Sequence, residues 1–286
     1  MNGPQLCRII AAFILIGVLA FYSAPFVFHQ IQLPKFSQLR NCQLNGTTST
    51  TEEFAKHYRE CISKYLPDFK FEYFQMGRFN EKKVFLPLVR SSSAARNCIF
   101  LTIGIGGDIQ VEQEFKQAYP ECQVYGIEPS VSQIADFDKY GTVIPYGVGV
   151  ENATIELTLR KTAGEYKKQN VTVVAMPTLL DAYLKTRFVH YATIDIEGAE
   201  FPILEALLSG KELYKEGVVI CQLDAELHGF RPESQEVINL LKAYSSPESQ
   251  YISVVNSNFL FHQKVTFVNF ENEMCREAFN LDQIGL

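Results

Sequence analysis

The chain has 286 residues, 47% of them hydrophobic and 20% charged, and 26 Lys+Arg against 32 Asp+Glu give a formal net charge of -6. The length suits one large α/β domain with a short appendage, or two small domains. No lysine- or arginine-rich run occurs, which excludes a nucleic-acid partner held through its phosphate backbone and leaves a neutral or cationic ligand.

From Ile9 to Phe28, "IIAAFILIGVLAFYSAPFVF" carries no charge over 20 residues, and Arg8 precedes it. As a helix it would be roughly 30 Å long, enough to span a bilayer core. The reading preferred is a signal-anchor transmembrane helix at 9–28 behind a short cytoplasmic tail at 1–8. That makes a type II single-pass protein of the Golgi or ER with a lumenal domain. A cleaved signal peptide, with Val18 and Ala20 before the cut and a secreted product, is the alternative, and a buried core helix is the third. A single arginine before the segment, against Lys35 and Arg40 after it, sets the orientation weakly.

Two further features favour the lumen. Asn-x-Ser/Thr triplets stand at Asn45, Asn152 and Asn170. Beyond Cys7, the cysteines Cys42, Cys61, Cys98, Cys122, Cys221 and Cys275 form an even set. They allow three disulfides in any of 15 connectivities. No zinc spacing occurs among them, and Cys221, inside an apolar strand, reads as a buried free thiol.

A stem and lead-in helix occupy 29–66. In "TTEEFAKHYRECISKY", Phe54, Tyr58, Cys61, Ile62 and Tyr65 recur at helical spacing, and Thr50 with Glu53 fits a capping box. The main domain is expected over 67–286, and the aromatic run "PDFKFEYFQMGRF", which has neither a helical nor a strand period, is expected to cover its edge. "NCIFLTIGI" is a continuous apolar strand of the type buried on both faces. A helix follows, with Val111, Phe115, Ala118 and Tyr119 on one stripe and Pro120 at its end. "CQVYGIEP" is the second strand, and "GTVIPYGVG" and "ATIELTLR" are short strands. "PTLLDAYLKT" is a short helix with Leu179, Leu180, Tyr183 and Leu184 facing inward. "FVHYATIDI" is a strand, "AEFPILEALLSG" a helix ending on Gly210, and "GVVICQLDAEL" a strand. "PESQEVINLLKAY" places Val237, Leu240, Leu241 and Tyr244 on one helical face, and "QYISVV" with "KVTFVNF" forms a closing antiparallel hairpin. Such alternation builds a mostly parallel sheet with helices on both faces.

Ligands of such sheets sit beyond the carboxyl ends of the strands, where strand order reverses. Gly104, Gly106, Gly107 and Asp108 make a glycine corner at one such end, and Glu128 closes the neighbouring strand 24 residues after Gly104. An acid there can accept both hydroxyls of a ribose. The third glycine of a dinucleotide fingerprint would fall at Ile109, and no Gly-Lys-Ser/Thr is present. These absences weigh against NAD or FAD, exclude a P-loop, and leave S-adenosylmethionine as a ligand that fits. Asp195, Glu197 and Glu200 cluster where the strand "VHYATI" becomes a helix. Complementing the helix dipole accounts for Glu200 but poorly for Asp195. Asp224, Glu226 and His228 alternate at the end of "CQLDAELHG", so they would share one side of that strand.

"GIEPS", "IDIEGAE" and "AELHG", in this order after a glycine corner, resemble the FkbM-type family of S-adenosylmethionine-dependent methyltransferases. The resemblance spans Cys98 to Gly229. It implies a Rossmann-like class I methyltransferase fold and methyl transfer to a hydroxyl of a small molecule or glycan, which the signal-anchor reading would place in the secretory pathway. It carries the family's strand-two acid onto Glu128, its Asp-x-Glu-Gly-x-Glu element onto Asp195, Glu197, Gly198 and Glu200, and its Glu-x-His onto Glu226 and His228. Many members have a Gly-Ala-Asn-type corner where this chain reads "GIGGD", and a lysine where Thr193 stands. Asp195 or His228 is the expected base, with Glu197 and Glu226 orienting the acceptor. A divalent ion on Asp195, Asp224 and Glu226 is an alternative, and no metal is assigned. An inactive scaffold on the same fold, and a lumenal glycosyltransferase for which Asp195-Ile196-Glu197 is the nearest metal motif, complete the readings weighed.

Overall fold

The computed structural model describes residues 36–46, 50–67, 69, 73–78, 81–162, 165–229, 234–259 and 262–283. The expected signal-anchor at 9–28 lies outside them. Among the described residues no helix is long and apolar enough to cross a membrane.

A helix over 36–44 (α1) precedes α2 (Thr51–Tyr65). The Thr50 hydroxyl accepts from Glu53 N–H as the capping pattern predicts, and α2 buries Phe54, Tyr58, Cys61 and Ile62. Two short strands, β1 (Phe74–Met76) and β2 (Lys83–Phe85), pair antiparallel. The main sheet is built from β3 (Ile99–Ile103), β4 (Gln123–Ile127), β5 (Thr142–Ile144), β9 (Phe188–Ile194), β10 (Val219–Leu227), β11 (Tyr251–Phe259) and β12 (His262–Asn269). Its order is β11-β12-β10-β9-β3-β4-β5, parallel except for β12, which runs antiparallel to both neighbours. The apolar run that defines β3 is buried at all five positions, as a strand covered on both faces must be. From β3 the chain builds outward through β4 and β5, then returns to the other side with β9 and β10. The reversal of order therefore falls between β3 and β9.

The helices α3 (Gln110–Ala118), α4 (Met176–Leu179), α5 (Glu200–Ala206), α6 (Glu212–Lys215) and α7 (Gln235–Tyr244) connect these strands. The inward face predicted for α7 is buried throughout. In α3 the stripe differs: Ala118 is exposed, and Glu112 takes a buried place instead. The strands expected in "GTVIPYGVG" and "ATIELTLR" are present, but their separate sheet, a further strand within it and a last helix were not foreseen. β7 (Ala153–Thr162) pairs antiparallel with β8 (Glu165–Ala175), and β6 (Gly147–Gly149) joins them in a separate sheet. β8 is mostly polar and exposed over its first half, so it lacks the alternation that marks a half-buried strand. A final helix, α8 (Glu273–Phe279), is capped by Asn272 and buries Cys275, Ala278 and Phe279.

The disulfides are Cys42–Cys61, Cys98–Cys122 and Cys221–Cys275. Cys221 is thus not the free thiol expected. Its place in an apolar strand faces α8, a helix without a sequence signal strong enough to announce its partner.

β2 sits on the sheet by aromatic and polar contacts that decide the site. The Phe85 ring lies 5.4 Å from Phe100 and Phe115 and 5.6 Å from Tyr191. Such pairs contribute about 0.5–1.5 kcal/mol each beyond their buried area. Leu86 N–H donates to Gln222 Oε1 (2.7 Å), and Val84 N–H to Asp224 Oδ2 (3.0 Å). These anchors bring Lys83 over the end of β9.

Candidate active site

The glycine corner and the Asp-x-Glu-Gly-x-Glu element meet at the switch point. Asp195 N–H donates to Ile103 O (3.0 Å), and Gly104 N–H to Ile127 O (3.0 Å). A Cβ at Gly104 would lie 2.1 Å from Asp195 O, and the residue has φ +90°, so only glycine permits this crossing. Gly106 and Gly107 also have positive φ, and a Cβ at Gly106 would meet nothing within 4 Å. The corner is therefore open on that side. Glu128 is buried beside it and accepts from Gly106 N–H (3.3 Å) and Ser130 N–H (2.8 Å). Burial raises its carboxyl above the ordinary value, although these two donors oppose the shift. Asp108 turns elsewhere: it accepts from Gln110 N–H and pairs with Arg78 at 2.5 Å.

At the end of β9, Glu197 has φ 56° and Gly198 φ 102°, and this left-handed pair folds the chain into α5. Glu200 is fully buried. It accepts from Gly198 N–H (2.8 Å), His228 N–H (2.8 Å) and His228 Nδ1 (3.0 Å). Glu200 therefore does more than complement a helix dipole. It ties the end of β10 to the start of α5 and sets the His228 ring. His228 Nε2 then faces Asp195 Oδ1 (3.5 Å), Glu197 Oε2 (3.8 Å) and Glu226 Oε1 (3.9 Å).

Lys83, which the sequence reading did not single out, completes the constellation. Its Nζ lies 3.3 Å from Asp195 Oδ2 and 4.0 Å from Glu226 Oε2. Burial works to lower the Lys83 pKa, but Asp195, Asp224 and Glu226 outweigh it and hold the ammonium charged. Burial likewise works to raise Asp195, and Lys83, with His228, overcomes it and keeps that carboxyl below its usual range. Glu226 is pushed up to about 7 by burial and by the charge of Asp195. His228 is pushed up to about 9: burial opposes a charge there, and Glu200, Asp195 and Glu226 outweigh it.

Asp224, the third acid of the alternating trio, faces β2 and β12. Besides Val84 N–H, its Oδ2 accepts from Thr266 Oγ1 (2.9 Å). Its Oδ1 is buried without a hydrogen-bond partner among the described residues, and the Lys83 ammonium stands beside Asp195 and Glu226, the other two acids of the trio weighed for an ion. Two more buried groups border the site. Lys264, opposite Glu226 on β12, has no hydrogen-bond partner for Nζ among the described residues. Glu112 accepts from Thr102 Oγ1 (2.5 Å), and burial pushes its carboxyl up to about 7. His262 stands beside His228, with ring centroids 4.5 Å apart. A lysine just before the apolar run "VFLPLV" and an alternating pattern in "HQKVTFVN" were the only signals for these residues.

A glycine corner, the buried acid Glu128 and a carboxylate–histidine–lysine network thus converge at the carboxyl ends of the strands. The Methyltransferase FkbM domain family matches residues 55–247. The chain belongs to that family, and the match starts within α2, upstream of the motifs that first carried the likeness. It is a methyltransferase by family, and its class works with a methyl-donor cofactor. No curated protein matches the chain.

Proposed function

We propose that the chain is an S-adenosylmethionine-dependent O-methyltransferase that acts on a hydroxyl of a small molecule or glycan. The observation that carries this reading is the contact of Gly104 with Asp195, because it sets the open glycine corner against the acids of the second motif. The residues fit the cofactor. Gly104, Gly106 and Gly107 leave the corner free of side chains, and Glu128 keeps acceptor lone pairs for ribose hydroxyls beside the two backbone donors it already binds. When bound, the cofactor supplies a methyl carbon activated by its sulfonium.

The protein's own tasks are to orient the acceptor, remove its proton and exclude water. Between the two bases expected, Asp195 is favoured. Its carboxylate is held ionised by Lys83 and is 37% exposed, whereas His228 is held protonated and its side chain is 3% exposed. The acceptor's O–H proton passes to Asp195, and Lys83 balances the charge during the approach. Glu197 and Glu226 orient the acceptor.

We place this activity in the secretory lumen, behind a signal-anchor at 9–28. Three disulfides and the exposed asparagines Asn45, Asn152 and Asn170 support that placement.

The test is thermal stability with S-adenosylmethionine, S-adenosylhomocysteine or UDP-sugars, beside Glu128→Gln and Glu128→Ala. Ligand at 100 times its dissociation constant should stabilise the fold by about 2.7 kcal/mol. A shift with the two methyl-cycle ligands that is lost in the Glu128 variants supports the reading. A response to UDP-sugars alone would replace it with glycosyl transfer, and no response from folded protein would leave a scaffold.

A further inference from the structure

Glu226, His228 and His262 reach one point from two strands. The antiparallel register that pairs Leu227 with Gln263 sets the two histidines side by side where β10 ends and β12 begins. One donor atom from each of the three residues lies within 4.8 Å of the others. We propose that they bind one divalent transition-metal ion of the zinc type.

Three features of the site converge on an ion. His228 gives Nδ1 to the buried Glu200, and this leaves Nε2 aimed at the cluster. A carboxylate behind an imidazole is the arrangement that orients histidine ligands and raises their basicity. Asp195 and Glu226 each turn one oxygen to Lys83 and the other toward Nε2, at 3.5 and 3.9 Å. With bonds of about 2.1 Å, neighbouring ligands of one ion stand about 3.0–3.4 Å apart, so the three ligand atoms, within 4.8 Å of one another, draw together by up to about 1.4–1.8 Å on binding. Two imidazoles and a carboxylate form a ligand set suited to Zn²⁺, Mn²⁺ or Fe²⁺ rather than to Mg²⁺. Asp195 Oδ1 and Glu197 Oε2 also approach Nε2, at 3.5 and 3.8 Å. The ion takes the position that a proton on Nε2 would otherwise hold. His262 belongs to the closing hairpin, and only the register of that hairpin brings it to "AELHG".

The site itself does not depend on the methyl-transfer reading, but its use does. An ion there would bind the acceptor oxygen as a Lewis acid and ease loss of the hydroxyl proton to Asp195.

The experiment is titration of the full, disulfide-intact chain with Co²⁺ and Zn²⁺, followed by calorimetry and by the visible absorption of bound Co²⁺. One equivalent should bind, with nitrogen–oxygen coordination bands. His262→Ala should weaken binding at least about tenfold, and Glu200→Gln, which removes no ligand, about 10–100-fold. Circular dichroism of each variant checks its fold, and Glu226→Gln serves if Glu200→Gln does not fold. No binding of either ion, or binding that survives both His262→Ala and Glu226→Gln, overturns the site. Binding of S-adenosylmethionine is measured separately. An ion without the methyl donor upholds this site and defeats the function, and the reverse result does the opposite.

Discussion

Lys83 Nζ stands 3.3 Å from Asp195 Oδ2, across 112 residues of sequence, and is the cation that keeps Asp195 ionised at the end of β9. Replacing it by methionine would leave Asp195 and Glu226 with only the more distant charges of His228 and Lys264 to offset them. Removing one partner of a buried ion pair costs about 3–5 kcal/mol. Asp195 is 37% exposed, so Lys83→Met is expected at the lower end, about 3 kcal/mol in urea unfolding. Equal stability of the variant and the parent would mean that the pair is not coupled.

Glu112 makes stability fall as pH rises. Its folded carboxyl is pushed up from 4.5 to about 7, so the native state holds its proton through a range where the unfolded chain has lost it. The protonated form is the one the fold favours. The loss therefore begins above the unfolded value, is complete once pH passes about 7, and amounts to about 3 kcal/mol. Glu112→Gln keeps an acceptor for Thr102 Oγ1 and should flatten this part of the curve. Its advantage over the parent should be large at pH 8 and small at pH 4, read from denaturation midpoints.

Gly104→Ala places a methyl group 2.1 Å from Asp195 O at a φ of +90°. The strand ends must separate, and the expected cost is about 3 kcal/mol or more. Because Asp195 moves with its carbonyl, binding of methyl-cycle ligands should fall in whatever fraction remains folded. Gly210→Ala, at φ +76° with open space around it, is the control: it carries backbone strain but no clash. Similar losses in both variants would show that strain, not contact, sets the requirement.

Cys221–Cys275 ties β10 to α8 across 54 residues of chain. A loop of that length corresponds to about 4 kcal/mol of chain entropy in the unfolded state. A Cys221→Ala, Cys275→Ala variant should therefore melt well below the parent, and reductant should lower the melting point of the parent but affect the variant less. An unchanged melting point would place the two thiols outside a disulfide.

Much of the fold was legible because its signals are local. The apolar run of β3 and the largely apolar β9 and β10 announce strands covered on both faces, and glycines at a strand end announce a tight turn. "IDIEGAE" and "AELHG" put Asp195, Glu197, Glu226 and His228 at two strand ends, and the structure brings these side chains together. The same local reading misassigned Cys221 and left β8 and α8 unseen, since neither has a strong periodic apolar face.

Chain-local chemistry thus set which strands and corners exist and which acids end them, because pattern and turn geometry act over a few residues. The company those acids keep was decided in three dimensions. Lys83 arrives because Phe85 packs among Phe100, Phe115 and Tyr191, and because Gln222 and Asp224 accept from the backbone of β2. His262 arrives through the antiparallel register of β12 on β10, and Glu200 is joined to His228 by two hydrogen bonds. Packing and strand register act between segments far apart in the chain, and no local pattern encodes them.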